Sequence, residues 1–145
     1  MAAVIAELRE GTVATIRARG FAWKADEPPA AHGTDRGPTP YELLLGSLAA
    51  CTAITLRLYA RHKGIDLEGV DVSLSFDRVH ADDCDDCDER DDGLIERIES
   101  RVTVLGSFDE SQRKRLAQVA QRCPVHKTLT HGVRVVDSIS FAAPG

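Results

Sequence analysis

Residues 37–64 read GPTPYELLLGSLAACTAITLRLYARHKG and contain the strongest helix signal in the chain. Thr39 is a good N-cap, Pro40 occupies the first helical position, and Glu42 is placed to close a capping box with Thr39. The pattern predicts a long helix that begins at this cap and ends at Gly64. Its first half is apolar on nearly every side, so we expect that half to be buried on nearly every side.

This helix also bears on the number of domains and on the partners of the chain. At 145 residues the chain fits a single domain, residues 1–145, which is large enough to bury a real core. One domain of this size can hardly surround a helix that is apolar all round, which indicates a partner subunit. The longest apolar stretch, 43–56, covers 14 residues. Because about 20 are needed to span a bilayer, we expect a core helix and no membrane association.

The rest of the chain carries strand and helix patterns in an order typical of an α+β fold. The two middle strands alternate apolar and polar residues, so we expect them to pair as antiparallel strands with an acidic segment as their connector. The predicted elements are two or three strands within 3–25, a long loop at 26–40, the helix over about 41–62, strands at 70–76 and 94–106, helices over about 109–122 and 124–130, and a last strand at 133–141.

The charge of the chain is concentrated in one place. The net charge is −5, and residues 82–92 alone contain eight acidic residues and one arginine. An acidic chain lacks the basic face that phosphate binding requires, so we expect no nucleic-acid partner. The N-terminal residues lack the basic start and apolar run of a signal peptide, which predicts a cytoplasmic protein with reduced thiols.

Two of the four cysteines lie in settings that suit either packing or chemistry. Cys51 lies in the middle of the most apolar segment, where a cysteine is usually an inert core residue. Cys123 directly precedes Pro124, at a predicted helix N-terminus, with His126 and Lys127 in the same turn. Free amides and the helix dipole favour an anion at that position, so Cys123 is either a reactive thiol or simply the residue between two helices.

The other two cysteines form a CxxC motif, Cys84 and Cys87, with His80 four residues earlier. This segment is a solvated acidic loop, a metal half-site or a redox pair. One such motif offers at most three ligands per chain, so a closed metal site would need another residue or a symmetry mate. The flanking aspartates oppose easy redox chemistry. The solvated loop is the preferred interpretation, so no residue is assigned as a metal ligand, and a metal site at His80, Cys84 and Cys87 stays an alternative.

Together, GPTPYELLLGSLAACTAITLRLYARHKG (37–64) and LAQVAQRCPVHKTL (116–129) resemble the OsmC/Ohr family of bacterial osmotically inducible and organic-hydroperoxide-resistance proteins. The resemblance is closest to the branch also found fused behind α/β-hydrolase domains, in which an HxxxCxxC insert like residues 80–87 occurs. It implies an OsmC-like fold with a long buried central helix and antiparallel sheet. It also implies an intertwined homodimer whose central helices are wrapped by sheets from both chains.

The resemblance further implies a thiol-dependent peroxidase that reduces organic hydroperoxides in the defence against oxidative stress. In the family the cysteine on the long helix, here Cys51, is peroxidatic, and the second cysteine, here Cys123, resolves the sulfenic acid as a disulfide. An external dithiol reductant then resets the pair. No cofactor is expected.

The positive group that would ionise Cys51 is not evident from the sequence. Other family members supply an arginine held by a glutamate directly after the helix-starting proline, a position that is Tyr41 here. Glu42 is nine residues from Cys51, about 900° of helical rotation, which places the two on opposite sides of the helix. We therefore interpret Glu42 as a capping residue. The candidate arginines are Arg17, Arg19 and Arg36.

The departure at Tyr41 favours an alternative function without catalysis. In that alternative the chain is a dimeric module that keeps the fold and its apolar cavity but binds small lipophilic ligands.

Overall fold

The computed structural model describes residues 1–80 and 94–144. Within these residues the chain forms a mixed α+β fold in which a long helix packs on antiparallel strands, as predicted. The elements are β1 (Ile5–Glu7), β2 (Ala14–Ala18), β3 (Phe21–Ala25), a single 3-10 turn (Pro29–Ala31), α1 (Pro40–Lys63), β4 (Leu67–His80), β5 (Leu94–Gly106), α2 (Glu110–Ala120) and α3 (Pro124–His131).

The start and end of α1 follow the predicted signals. The Glu42 amide donates to Thr39 Oγ1 over 3.2 Å, and the Thr39 amide donates to Glu42 Oε2 over 2.7 Å, which closes the capping box. At the other end, Gly64 has a φ of 65°, the left-handed conformation that glycine adopts without a steric cost. The interpretation of Glu42 as a capping residue is confirmed.

The packing of α1 is one-sided within a single chain. Its buried residues recur every four positions and form one stripe, which consists of Leu48, Thr52, Leu56 and Ala60. On another side Ile54 and Leu58 are 57% and 56% exposed. In the first half only Leu48 is buried, and Tyr41 is 44% exposed. The expectation that this half is buried on nearly every side is therefore wrong for one chain, because the described elements cover only one side of α1. By length and composition α1 would reach across a bilayer, yet its buried stripe belongs to a protein core that includes Leu67 and Leu116.

The layer under α1 is the two-stranded antiparallel ribbon of β4 and β5, which confirms the predicted pairing. Val72 faces Val102 and Phe76 faces Ile98 in the register of the ribbon. From Val70 to Phe76 the apolar residues of β4 are half-buried while the polar residues between them are exposed, as the alternation predicted. The ribbon and α2 together enclose the buried side of α1.

The N-terminal strands form a separate antiparallel sheet in the order β1-β2-β3. This sheet makes at most isolated contacts with the other described helices and strands. Its apolar side chains are largely uncovered, with Ile5 66% and Phe21 61% exposed. A sheet that buries so little apolar surface gains little stability from its own chain.

The long proline-rich loop after β3 is held together by one buried carboxylate. Asp26 is only 2% exposed and accepts hydrogen bonds from the Thr12 hydroxyl (2.6 Å), the Thr34 hydroxyl (2.5 Å) and the amides of Glu27 and Arg36. These donors, the Thr12 hydroxyl above all, hold the pKa of the Asp26 carboxyl well below its usual range. The loop is therefore fixed by a side chain rather than by regular backbone structure.

The predicted last strand at 133–141 is wrong for the single chain. Residues 132–144 have no regular secondary structure, and their apolar side chains lie in solvent, with Val136 82% and Phe141 96% exposed. A strand needs a neighbouring strand to take up its backbone amides and carbonyls. No described strand of this chain pairs with the segment, so its alternating pattern alone does not produce a strand.

Candidate active site

The structure brings Cys51 and Cys123 together where α1 and α3 pack against each other. Cys51 lies in the middle of α1 and is half-buried, whereas Cys123 is the N-cap of α3 and is fully buried. Both are free thiols, and they lie close enough for the Cys123 thiol to act directly on the ionisation of Cys51. The fold thus places two free thiols next to each other.

Both sulfurs lie beside the first turn of α3. The His126 amide donates to Cys123 Sγ over 3.3 Å, and the Val125 amide lies near enough to Cys51 to lower the pKa of its thiol. Pro124 occupies the first helical position and has no amide to satisfy. The N-terminus of α3, which the sequence indicated as a site for an anion at Cys123, therefore lies next to both thiols.

The pKa of the Cys51 thiol is raised above its ordinary value, and burial away from water is the largest cause. The Val125 amide acts in the opposite direction, the neighbouring Cys123 thiol raises the pKa further, and the Thr55 hydroxyl lowers it. Burial and the second thiol prevail over these two donors. The reactive thiolate is consequently a minor species in the single chain, and a nearby positive group would enlarge it.

None of the candidate arginines is among the groups that shift the pKa of Cys51 in the described chain. Arg17 lies in β2 and Arg19 stacks on Phe21, with 4.9 Å from the guanidinium carbon to the ring centroid. Arg36 lies in the loop that Asp26 holds. Arg17 and Arg19 belong to the N-terminal sheet and its turn, and this sheet makes at most isolated contacts with α1.

Tyr41, which occupies the position of the family glutamate, takes part in an aromatic and charged cluster. Its ring stacks on Phe76 with a centroid distance of 4.5 Å, and its hydroxyl accepts a hydrogen bond from Arg78 over 3.5 Å. Arg78 also pairs with Glu96 over 3.4 Å. Tyr41 therefore engages an arginine, but this arginine is not among the groups that act on Cys51.

An open cavity of about 820 Å³, with a mainly apolar but mixed lining, lies between α1, β5 and α2. A smaller cavity of about 260 Å³ shares Leu48, Ser100 and His126 with it, so the two form one groove. Thr52 lines the larger cavity and also contacts Cys123 Sγ over 3.7 Å, which connects the groove to the dithiol. The apolar lining comes chiefly from Leu48, Val102, Val104, Phe108, Leu116 and Ala120.

The CxxC motif of Cys84 and Cys87 lies outside the described residues, and of His80 only the backbone is described, as the end of β4. The three interpretations of this segment, a solvated loop, a metal half-site or a redox pair, therefore stay open. Elsewhere, in residues 1–80 and 94–144, no group of three His, Cys, Asp or Glu side chains is arranged to hold a metal ion.

The sequence reasoning missed three groups at the site: the Thr52 and Thr55 hydroxyls and the Val125 amide. The threonines follow Cys51 by one and four positions, so helical geometry places Thr55 beside Cys51 on the same face. That spacing is a signal for Thr55. The contact of Thr52 with a sulfur 71 positions away depends on how α3 packs and has no local signal.

Comparison with known proteins agrees with this architecture. The family model described as OsmC-like protein matches residues 33–136. The OsmC-like protein of Mycoplasma pneumoniae is 25% identical over 90% of this chain and 87% of its own, with a TM-score of 0.71.

Two organic hydroperoxide resistance proteins share the fold at lower identity. The one from Bacillus subtilis, OhrB, is 21% identical over 88% of this chain and 89% of its own, with a TM-score of 0.57. The one from Legionella pneumophila, OsmC, is 16% identical over 89% of this chain and 88% of its own, with a TM-score of 0.63. A search of curated protein sequences gives no match. On the family match over residues 33–136, the chain belongs to the OsmC-like protein family.

Proposed function

We propose that this protein is a thiol peroxidase that reduces organic hydroperoxides, with Cys51 as the peroxidatic and Cys123 as the resolving cysteine. The observation that carries the proposal is that two free thiols lie next to each other and are connected through Thr52 to a cavity of about 820 Å³ with a mainly apolar lining. The family includes organic hydroperoxide resistance proteins, which supports the same reaction class.

Access to the sulfur atoms supports the assignment of the two roles. Cys51 is half-buried and offers surface to a substrate, whereas Cys123 is fully buried. A hydroperoxide therefore reaches Cys51 first. Cys123 needs to reach only the neighbouring sulfur, which suits a resolving residue.

In the proposed reaction the Cys51 thiolate attacks the distal oxygen of the hydroperoxide. The oxygen–oxygen bond breaks, Cys51 becomes a sulfenic acid, and the departing alkoxide takes a proton to leave as the alcohol. Cys123 then attacks the sulfenic sulfur, a disulfide forms, and hydroxide leaves and is protonated to water. An external dithiol reduces the disulfide by exchange. We place this cycle in the cytoplasm, where thiols are kept reduced.

We also propose that the active form is a homodimer. Three regions of the chain carry uncovered apolar surface: the outer side of α1 with Ile54 and Leu58, the N-terminal sheet, and the C-terminal segment with Val136 and Phe141. Exposed apolar side chains in such number are typical of a chain that associates with a partner. A second copy would cover these regions, and we expect the N-terminal arginines of one chain to supply the positive charge that Cys51 of the other requires.

The test replaces Cys51 with serine and follows the consumption of cumene hydroperoxide in the presence of a dithiol reductant. We expect Cys51→Ser to lose turnover to the background rate. The matched variant Cys123→Ser should still react once and carry a trappable sulfenic acid on Cys51. Equal rates of consumption by Cys51→Ser and the unmodified protein would overturn the proposal.

A second candidate function is the binding of small lipophilic ligands without catalysis. Two observations favour it: the raised pKa of Cys51 and the tyrosine at position 41, which leaves the thiol without the charged pair of other family members. Mass spectrometry of the purified protein, before and after peroxide treatment, distinguishes the candidates. A Cys51–Cys123 disulfide after treatment supports the enzyme, whereas unmodified thiols together with a co-purified apolar ligand support the binding protein.

A further inference from the structure

Thr52 holds its hydroxyl between two acceptors inside the protein. It is 4% exposed, and its Oγ1 lies 2.9 Å from the Leu48 carbonyl oxygen and 3.7 Å from Cys123 Sγ. We infer that Thr52 is a positioning residue for the resolving step, whose hydroxyl turns from the Leu48 carbonyl to the Cys123 sulfur when that sulfur carries negative charge. This inference rests on the proposed dithiol function of Cys51 and Cys123.

A threonine hydroxyl has one hydrogen and therefore donates to one acceptor at a time. In the resting protein the shorter contact, to the Leu48 carbonyl, takes that hydrogen, as is common for threonines inside helices. The Cys123 thiol then faces the lone pairs of the Thr52 oxygen. Rotation about a single side-chain bond exchanges the two arrangements, and the helix backbone keeps its place.

The rotation matters because Cys123 is buried and its thiolate needs a hydrogen-bond donor from the protein. Its side chain has no exposed surface, so water does not solvate a thiolate there. Among the described residues, the donors that reach its sulfur are the His126 amide at 3.3 Å and the Thr52 hydroxyl at 3.7 Å. Hydrogen bonds to a charged acceptor are about twice as strong as neutral ones. The Thr52 hydroxyl therefore stabilises Cys123 most when that sulfur is ionised.

The step itself balances without an outside oxidant. The Cys123 thiolate attacks the sulfenic sulfur of Cys51, the sulfur–sulfur bond forms and the sulfur–oxygen bond breaks. The Cys51 sulfur is reduced, the Cys123 sulfur is oxidised, and the hydroxide that leaves takes up the proton that Cys123 lost. Once the charge is consumed, the Thr52 hydroxyl returns to the Leu48 carbonyl. Because Thr52 directly follows Cys51, the same hydroxyl keeps the attacking sulfur beside its target.

The test uses the aromatic disulfide dithiobis(nitrobenzoate) on the full chain with Cys84 and Cys87 replaced by serine. Attack by Cys51 releases one coloured thionitrobenzoate and leaves a mixed disulfide. Attack by Cys123 on that mixed disulfide releases a second one. We expect Thr52→Val, which keeps the shape and loses the hydroxyl, to slow the second release about tenfold and to leave the first unchanged. Thr52→Ser should restore the second rate.

Controls separate this role from packing and from the peroxidase proposal. Cys123→Ser should give one release only, and mass spectrometry should find the adduct on Cys51. Should Thr52→Val not fold, the pair Thr52→Ala and Thr52→Ser makes the same comparison. A second release in Thr52→Val within twofold of the unmodified rate overturns the inference, as does a Thr52→Ser variant as slow as Thr52→Val. This assay uses no hydroperoxide, so it is independent of the peroxidase proposal. If the unmodified protein does not reduce hydroperoxides but Thr52→Val still slows the second release, the peroxidase is refuted and the role of Thr52 is upheld.

Discussion

The two sides of α1 differ in how complete they are within one chain. The inner side buries Leu48, Thr52, Leu56 and Ala60 against the β4–β5 ribbon and the two later helices, and the thiols meet at its edge. The outer side leaves Ile54 and Leu58 more than half exposed. A single chain thus brings the two thiols together but leaves one side of α1 uncovered. The difference separates the properties that the fold of one chain provides from those that the proposed dimer would add.

The largest effect should come from the inner side. Leu56 has no exposed surface and lies at the centre of the core with Ala60, Leu67 and Leu116. Leu56→Ala should lower the free energy of unfolding by about 3 kcal/mol, because it removes buried methyl groups and leaves a cavity. Denaturant unfolding at several protein concentrations measures it. A loss below about 1 kcal/mol would contradict the core assigned here.

The outer side should respond through assembly. Leu58→Glu would bury an unpaired charge in the proposed dimer interface, so we expect the dissociation constant of the dimer to rise about a hundredfold. Analytical ultracentrifugation over a concentration series measures this. Lys114→Glu on the exposed side of α2 makes a larger change of charge and should leave the association unaltered. An unmodified protein that is monomeric at high concentration would refute the dimer.

The pH dependence of Cys51 reactivity should show whether association through the outer side of α1 promotes ionisation of the thiol. Because its pKa is raised in the single chain, the thiolate fraction at neutral pH is small there and rises about tenfold per pH unit until the pKa is reached. The rate of Cys51 alkylation in monomeric Leu58→Glu should follow this slope to high pH. In the dimer, a positive charge from the partner should move the plateau to lower pH. Identical profiles for both forms would show that assembly does not ionise the thiol.

The features that were predictable from the sequence are those that depend on neighbours along the chain. The Thr39–Glu42 capping box and the β4–β5 pairing follow from local spacing and alternation, and both are present. The strand at 133–141 was wrong because an alternating pattern needs an available sheet edge, which the described part of one chain does not offer. The contact of Thr52 with Cys123 arises from helix packing between distant segments, so no local pattern reports it.

The smallest expected effect concerns the cap of α1, which lies at the end of the helix and belongs to neither of its two sides. Thr39→Ala removes the oxygen that accepts from the Glu42 amide, and we expect a loss of about 1 kcal/mol in the free energy of unfolding. Asp109→Ala, which removes the corresponding cap of α2, should cost a similar amount. Neither change touches the outer side of α1, so the dissociation constant of the dimer should stay the same in both variants. A cap variant that dissociates the dimer would show that the outer side depends on the start of α1, and the two sides would then not be separable.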